Sequence, residues 1–220
     1  MEFRFQTSIS GSFEFPTDNA RRLLPPGLEP VEVHHGSSIL SMTVLDVPES
    51  LVGPHRQVIL SVVVVPLIQD TDAPPPRIAV YPYLVGATTE PARQAAGTFL
   101  HLPQWKDDVQ IDIVPDGKSV TARVQAADGP IAELTVSDYE WEPASYTYQC
   151  FLRDAGASFL ANVRVSAEMS EHEEESGRLK LYDHPFNAGV VIGDVYDVPF
   201  REAWMRDGTQ TFAISPLPAA

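Results

Sequence analysis

The chain has 220 residues, of which 44% are hydrophobic and 20% charged, and its formal charge is −15 at pH 7. These proportions are typical of an ordinary globular protein with enough residues to bury a substantial core. The acidic balance, without a cluster of lysine and arginine, excludes nucleic acid as an expected partner, because phosphate binding depends on clustered basic side chains. It also provides no attraction to an anionic membrane surface.

The single cysteine, Cys150, excludes an internal disulfide and favours a reducing compartment. It lies in the apolar run 148–152, where a buried hydrophobic role is favoured over a nucleophilic one. The N-terminus lacks the apolar region of a secretion signal, and the longest apolar stretch, residues 58–68, is too short to span a bilayer. We therefore expect a cytoplasmic protein with no membrane partner.

Two short helices are predicted. Residues 17–24 begin with N-cap residue types, and the two prolines that follow end the helix after about two turns. Residues 90–96 have Pro91 near the first turn and Gly97 after the last residue, which is the usual asymmetry of a helix.

Strand signals dominate the rest of the chain. Segments rich in β-branched and aromatic residues, several with alternating apolar positions, lie at residues 39–45, 58–65, 78–85, 109–114, 120–126, 131–136, 159–168 and 177–182. Turn residues at 115–118 and 127–130 predict hairpins. The acidic segment 171–175 is predicted to be a solvated loop, and the proline-rich segment 70–76 a stiff extended loop. Many short strands at regular spacing predict one domain over residues 1–220, a closed barrel or sandwich with peripheral helices.

Four segments, in this order, resemble the acetoacetate decarboxylase family. They are the early helix with the Leu-Pro-Pro-Gly-Leu-Glu that follows it, the Gly-Pro-His-Arg-Gln at 53–57 before a long apolar strand, the segment 97–106 with its Leu-Pro, and the segment 171–185. Together they cover nearly the whole chain. The resemblance implies a mainly β (β-rich α+β) fold: a cone-like closed antiparallel β-barrel with a few short peripheral helices, an interior pocket, and assembly into a homo-oligomer.

The resemblance also implies a mechanism, in which a desolvated lysine with its pKa lowered by a second lysine forms an imine with a β-keto acid. This chain departs from that pattern. Gln104 stands after the proline, where the imine-forming lysine belongs, and Trp105 replaces the second lysine. Gln57 replaces a glutamate and His55 a tyrosine, while Arg4 lies two residues from the position of the family's arginine. These residues do not support the family mechanism.

The candidate catalytic residues are therefore neutral donors and histidines. Gln104 and Gln57 are expected to face the pocket, where they either donate to a ligand oxygen or make structural hydrogen bonds. His101 and His55 are each either a general acid–base group or a structural histidine. Lys106 forms an imine if the turn is longer here than in the family; otherwise it is a surface lysine beside two aspartates.

The predicted substrate-binding residues are mainly aromatic. Trp105, Tyr81, Tyr83 and Phe99 predict a pocket lined for a larger and more apolar ligand than acetoacetate, with Arg4 nearby. The alternative for the aromatic residues is plain core packing. Because no histidines and carboxylates have metal-ligand spacing and no phosphate-binding loop is present, we expect neither a metal nor another cofactor.

Two functions from different classes remain. The first is a lyase- or cyclase-like enzyme that acts without an imine on an apolar carbonyl or keto compound by cyclisation, dehydration or isomerisation, for example on a polyketide-like intermediate in secondary metabolism. The second is a non-catalytic barrel that binds an apolar small molecule. A true β-keto acid decarboxylase that uses Lys106 is a third hypothesis.

Overall fold

The computed structural model describes residues 2–67 and 75–217. The loop predicted over residues 70–76 therefore lies largely outside the described residues. The described strands are β1 (Glu2–Pro16), β2 (Glu32–His34), β3 (Ser37–Val47), β4 (His55–Val63), β5 (Ala79–Ala87), β6 (Gln110–Asp116), β7 (Ser119–Ala126), β8 (Gly129–Ser137), β9 (Glu142–Asp154), β10 (Ala157–His172), β11 (Arg178–Leu181) and β12 (Arg201–Pro216). The helices are α1 (Thr17–Leu23) and α2 (Glu90–Leu100), with short 3₁₀ turns at Pro185–Asn187 and Ile192–Asp194.

Seven strands close into a barrel in the order β1-β12-β10-β9-β5-β4-β3, and β3 pairs with β1 to complete it. Neighbouring strands are antiparallel except β5 and β9, where Ala79 pairs with Gln149 and Val80 with Cys150 in the parallel sense. The closed β-barrel predicted from the sequence is confirmed, but it is mixed and not fully antiparallel. The parallel pair arises because β6, β7 and β8 carry the chain away from the barrel before β9 returns to it.

A second sheet, in the order β11-β8-β7-β6, packs against the outside of the barrel. On β6, Ile111 is buried whereas its neighbours Gln110 and Asp112 are exposed, so the sheet has one apolar and one solvated face. The core between the barrel and this sheet includes Phe13 and Trp204. The outer faces of β1, β3, β4 and β12 are therefore covered in part by this sheet, and the inner faces of the barrel strands are left to line a cavity.

Helix α1 follows β1 without a loop. Its N-cap residue is Pro16, which makes no side-chain capping bond, so the predicted capping by the polar residues after it is wrong. The hydroxyl of Thr17 instead accepts a hydrogen bond from Ser38 on β3, at 2.9 Å. Ala20 packs with Phe15 and Leu40 in an apolar cluster on the outside of the barrel.

Helix α2 is longer than predicted. Thr89 caps its N-terminus by accepting from the backbone N–H of Ala92, and the helix continues through Gly97 to Leu100. Its buried face, with Ala96 and Leu100, continues past the glycine, and this packing outweighs the low helix propensity of glycine. No helix in the described part of the chain has the length and apolarity needed to cross a bilayer.

The acidic segment 171–175 is only partly a solvated loop. Strand β10 continues to His172 and pairs with β12, so that Glu171 lies opposite Ala203 and His172 opposite Glu202. The prediction of a solvated loop is wrong for Glu171 and His172 because strand pairing extends into the charged run. Strands β1, β2, β9 and β12 were also not predicted.

Candidate functional site

The inner face of the barrel encloses a cavity with a volume of about 190 Å³. On β3, Thr43 and Leu45 line it, whereas Met42 and Val44 point into the core under the second sheet. Residues paired across neighbouring strands share a face of the sheet, so Leu45 lies beside Gln57 of β4. This volume accommodates a small organic molecule and not merely one water.

One wall of the cavity is polar and the facing wall is mainly apolar. The hydroxyl wall, as we call it, is formed by six side chains of β1, β3 and β4: Ser8, Ser10, Ser12, Ser41, Thr43 and Ser61. Across the barrel, β9 and β10 present Tyr146, Tyr148 and Val165. Burial raises the pKa of Tyr146 to about 12 and that of Tyr148 well above its ordinary value, so both phenols stay neutral near pH 7.

His55 and Gln57 lie next to each other on the cavity lining. Nδ1 of His55 is 3.1 Å from the carbonyl oxygen of Gly53, which can only accept, so Nδ1 carries a proton and, in the neutral tautomer, Nε2 is the acceptor. Nε2 of Gln57 lies 3.3 Å from this acceptor and donates to it. Gln57 thereby retains a second N–H that can donate to a ligand.

The turn before β4 fixes this histidine. Gly53 has a φ of 86°, a left-handed conformation that favours glycine. Its carbonyl also accepts from the hydroxyl of Ser50 at 2.8 Å. His55 is buried, and its orientation and tautomer are set by backbone geometry.

The charged side chains on the lining, Arg77, Glu171 and Arg201, are held in ion pairs. Arg77 is paired with Glu171, and its guanidinium lies 5.0 Å from the ring centroid of Tyr146. Arg201, also on the lining, is paired with Glu173 at 2.6 Å. Because each arginine is matched by a glutamate, these ion pairs add little net charge to the cavity.

Cys150 lines the cavity and is buried. Burial raises the pKa of its thiol to about 12. The thiol therefore remains protonated near neutral pH and acts as a small apolar group, as expected from its apolar sequence context.

No lysine reaches the cavity. The chain contains three, Lys106, Lys118 and Lys180, and all are exposed on the outside of the fold. The side chain of Lys106 is 78% exposed, and its amine lies 3.5 Å from Asp107. The structure does not support the hypothesis that Lys106 forms an imine, because its amine is solvated and not enclosed.

Gln104 approaches the cavity without joining the lining. It forms a parallel bridge with Val85, which pairs with the cavity-lining Ile59, so it lies on the inward side of the barrel. Its Nε2 donates to the carbonyl of Leu102 at 3.4 Å, and its buried Oε1 has no hydrogen-bond partner among the described residues. Its side chain contacts α2 at Gly97.

His101 lies outside the cavity. It is the C-cap residue of α2 in a left-handed conformation with φ 54°. Its ring stacks on Phe159 at 4.1 Å between ring centroids, and Nδ1 lies 3.0 Å from Asp154. The structure therefore places His101 where it attaches α2 to the β9–β10 hairpin, away from His55 and Gln57.

Trp105 points away from the cavity. Its ring centroid lies 5.5 Å from that of Phe186 and 5.9 Å from that of His184, in the core under the second sheet. It belongs to the outer core because neighbouring residues of an extended segment point to opposite sides, and Gln104 takes the inner side.

The other predicted binding residues also lie off the lining. Tyr81 and Tyr83 flank Pro82, which occupies the inward position, and they pack in the outer clusters. Phe99 is 60% exposed on α2, and Arg4 is exposed on β1. The structure therefore places Trp105 and these four residues off the lining of this cavity, because the faces that carry them are turned outward.

Sequence reasoning missed most of the true lining. The hydroxyl wall was missed because its serines resemble the solvated side of an amphipathic strand, whereas here the polar side faces a cavity. Arg77 and Glu171 were missed because they lie 94 residues apart and meet only in the fold. The alternation of Ser8, Ser10 and Ser12 with Ile9 and Gly11 was the available signal for β1.

Within residues 2–67 and 75–217, no three metal-ligating side chains are grouped together.

The fold is similar to that of several solved enzymes. An acetoacetate decarboxylase matches with a TM-score of 0.69 at 14% identity, over 98% of this chain and 88% of that chain. The acetoacetate decarboxylase from Legionella pneumophila subsp. pneumophila str. Philadelphia 1 matches with a TM-score of 0.65 at 12% identity, over 99% and 88%. The enduracididine biosynthesis enzyme MppR, solved in complex with pyruvate, matches with a TM-score of 0.64 at 13% identity, over 100% and 91%. No family model and no curated protein sequence matches the chain.

Proposed function

We propose that this chain, which has the acetoacetate decarboxylase-like fold, is an enzyme that enolises an apolar carbonyl compound without forming an imine. The observation that carries the proposal is the His55–Gln57 pair on the lining of a cavity that contains no lysine. A buried histidine beside an amide donor is an arrangement suited to proton abstraction next to a carbonyl.

Each group has a separate role in this chemistry. The second N–H of Gln57 donates to the carbonyl oxygen of the substrate. Once the substrate has displaced the Gln57 N–H from Nε2 of His55, this nitrogen removes a proton from the adjacent carbon: the C–H bond breaks, an N–H bond forms, and the electron pair moves to the oxygen, where Gln57 stabilises it. Return of the proton to another carbon gives isomerisation, loss of a β-hydroxyl gives dehydration, and attack of the enolate on a second carbonyl gives cyclisation.

Two further observations support a carbonyl substrate of mainly apolar character. MppR, which shares the fold, was solved with pyruvate, a keto acid. In this chain the wall opposite the hydroxyl wall presents Val165 and the neutral ring of Tyr148. A dry surface of this kind strengthens the hydrogen bond from Gln57 to a developing enolate.

Exchange of carbon-bound hydrogen tests the proposal without the native substrate. The protein is incubated with 2-octanone in D₂O, and deuterium incorporation next to the carbonyl is followed by NMR. We expect exchange above the buffer rate. His55→Asn retains a donor toward Gly53 but removes Nε2, and should reduce exchange by about 10²-fold or more. Gln57→Leu removes the donor at similar volume and should reduce it by about 10²-fold.

The exposed His34 provides a matched control, since His34→Gln should leave the exchange rate unchanged. Exchange at the buffer rate with the wild-type protein, or wild-type exchange by folded His55→Asn, would contradict the proposal. In the first case, recovery of an unchanged small molecule from the purified protein would favour the binding-barrel alternative.

A further inference from the structure

We infer that the hydroxyl wall binds one oxygenated edge of a mainly apolar carbonyl substrate, such as a ring or chain with hydroxyl or keto groups along one side. This inference names the substrate class of the cavity and rests on the proposed function for the carbonyl end of that substrate. It is carried by the six hydroxyl groups themselves, independently of His55.

The hydroxyl groups form a regular array. Ser10 pairs with Thr43, and Ser41 pairs with both Ser12 and Ser61, so these side chains are direct neighbours across three strands. Inward-facing residues on one strand repeat every ~6.6 Å, and neighbouring strands lie ~4.8 Å apart. The wall therefore presents hydroxyls at two spacings over a length of about 13 Å from Ser8 to Ser12.

These hydroxyls have no protein partners. Ser8 is completely buried, and its Oγ has no hydrogen-bond partner among the described residues. The other five hydroxyls likewise make no side-chain hydrogen bond within the described part of the chain. An unsatisfied buried hydroxyl is unfavourable, and natural proteins keep few of them. A ligand oxygen at Ser8 removes this penalty, and the other five hydroxyls, which are accessible from the cavity, can bind the same ligand.

The facing wall limits the ligand class. Val80 and Val165 offer only apolar surface, and Tyr146 already directs its hydroxyl to the sulfur of Met205 at 3.6 Å. A plain hydrocarbon would leave the serines unpaired, whereas a sugar would place hydroxyls against valine. A compound with one oxygenated edge satisfies both walls.

The wall is also placed in register with the proposed reactive end. Ser8 pairs with Leu45, and Leu45 pairs with Gln57, so the three residues form one row across the barrel. A carbonyl held at Gln57 therefore extends its remaining oxygens along the wall toward Ser10 and Ser12.

The test compares two probes of matched apolar shape, naphthalene and 2,7-dihydroxynaphthalene, by fluorescence titration. We expect the wild-type protein to bind the diol about tenfold more tightly, as two modest hydrogen bonds would give. The double variant Ser10→Ala and Ser12→Ala should reduce this preference to about threefold or less. The pair Ser145 and Ser166, on the outer surface, provides the matched alanine control, which should retain the full preference.

A second readout separates ligand binding from a structural role. Ser8→Ala removes an unpartnered oxygen, so its thermal midpoint should equal or exceed that of the wild type, whereas loss of a structural serine would lower it.

The inference is overturned if neither probe binds, if the diol is not preferred, or if the double variant keeps the preference. Because these readouts need no turnover, diol preference without ketone exchange would reject the proposed function and leave the wall assignment standing. Ketone exchange without diol preference would reject the wall assignment and leave the proposed function standing.

Discussion

Glu202 shows how a single buried carboxylate joins three parts of the fold. It is 1% exposed and points outward from β12 into the region under β8. Its Oε1 accepts from the backbone N–H groups of Ser176 and Gly177, at 3.0 and 2.8 Å, and its Oε2 accepts from that of Ser137 at 2.7 Å. The charge is thus compensated by backbone donors and ties the segment after β10 and the end of β8 to the barrel.

We expect Glu202→Gln to lower the free energy of unfolding by about 2 kcal/mol. Both carboxylate oxygens of Glu202 accept from backbone N–H groups. In either orientation of the new amide, its NH₂ group therefore replaces an acceptor, and two donors face each other. Urea unfolding measures the loss. Glu174→Gln makes the same change in charge on an exposed side chain and should stay within about 0.5 kcal/mol of the wild type. A variant of Glu202 as stable as the wild type would show that its hydrogen bonds are not needed.

The positions of single residues show how much of the site could be predicted from the sequence. His55 and Gln57 were selected as substitutions within a segment that resembles a family motif, and both line the cavity. Gln104 and Trp105 were selected in the same way, but they are adjacent in an extended segment, so only one of them can face inward. A motif identifies a position along the chain, whereas the face on which each side chain lies is decided by strand pairing.

At the scale of elements, β12 changes its inward face along its length. Before Asp207 the odd-numbered residues Ala203 and Met205 line the cavity, and after it the even-numbered Gln210 and Phe212 do so. The register with β10 shifts between these halves, and Asp207 has a φ of 48°, which marks a β-bulge. Because the inward residues are odd-numbered before Asp207 and even-numbered after it, the segment as a whole shows no single alternating pattern. The strand could therefore not be recognised from the sequence.

Gly208 is required at this bulge by close packing. A Cβ atom at this position would lie 2.1 Å from the ring of Phe5, which is itself buried on the cavity lining. We expect Gly208→Ala to lower the free energy of unfolding by about 1–3 kcal/mol through overpacking. Chemical denaturation measures the effect, and Gly193→Ala, where the new Cβ meets open space, is the control. Equal stability of the two variants would contradict the packing argument.

For the whole molecule, the outline of the fold was within reach of the sequence. The central strands have continuous or alternating β-branched residues, and their segments agree with β3, β4, β5, β7 and β8. The parallel pairing of β5 with β9 was not within reach, because the two paired stretches, at Ala79 and Gln149, lie 70 residues apart in the chain, with β6, β7 and β8 between them. Barrel closure depends on such distant pairings, which leave no local signal.

The molecule as a whole should lose stability at alkaline pH. The folded pKa of Cys150 and of Tyr146 is about 12, against ordinary values of 9.0 and 10.0, because burial disfavours their charged forms. Groups with a raised folded pKa contribute fully below the unfolded pKa, and this contribution is lost as pH rises through the folded value. We expect the free energy of unfolding to decline from about pH 9 onward, as measured by urea titrations at several pH values. Cys150→Ala should flatten the first part of the decline, and a constant stability up to about pH 11 would contradict the assignment.

The pairing of β1 with β12 joins the two ends of the described chain. The hydroxyl wall belongs to β1, β3 and β4, which all lie within residues 2–63 and can associate as neighbours in the chain. The barrel closes only when β1 also meets β12, across nearly the full length of the described chain, and such distant contacts are the slowest to form. A ligand that bridges the hydroxyl wall and the apolar wall spans this seam. Its binding free energy therefore adds to the stability of the closed barrel, because a ligand that binds only the folded state stabilises that state.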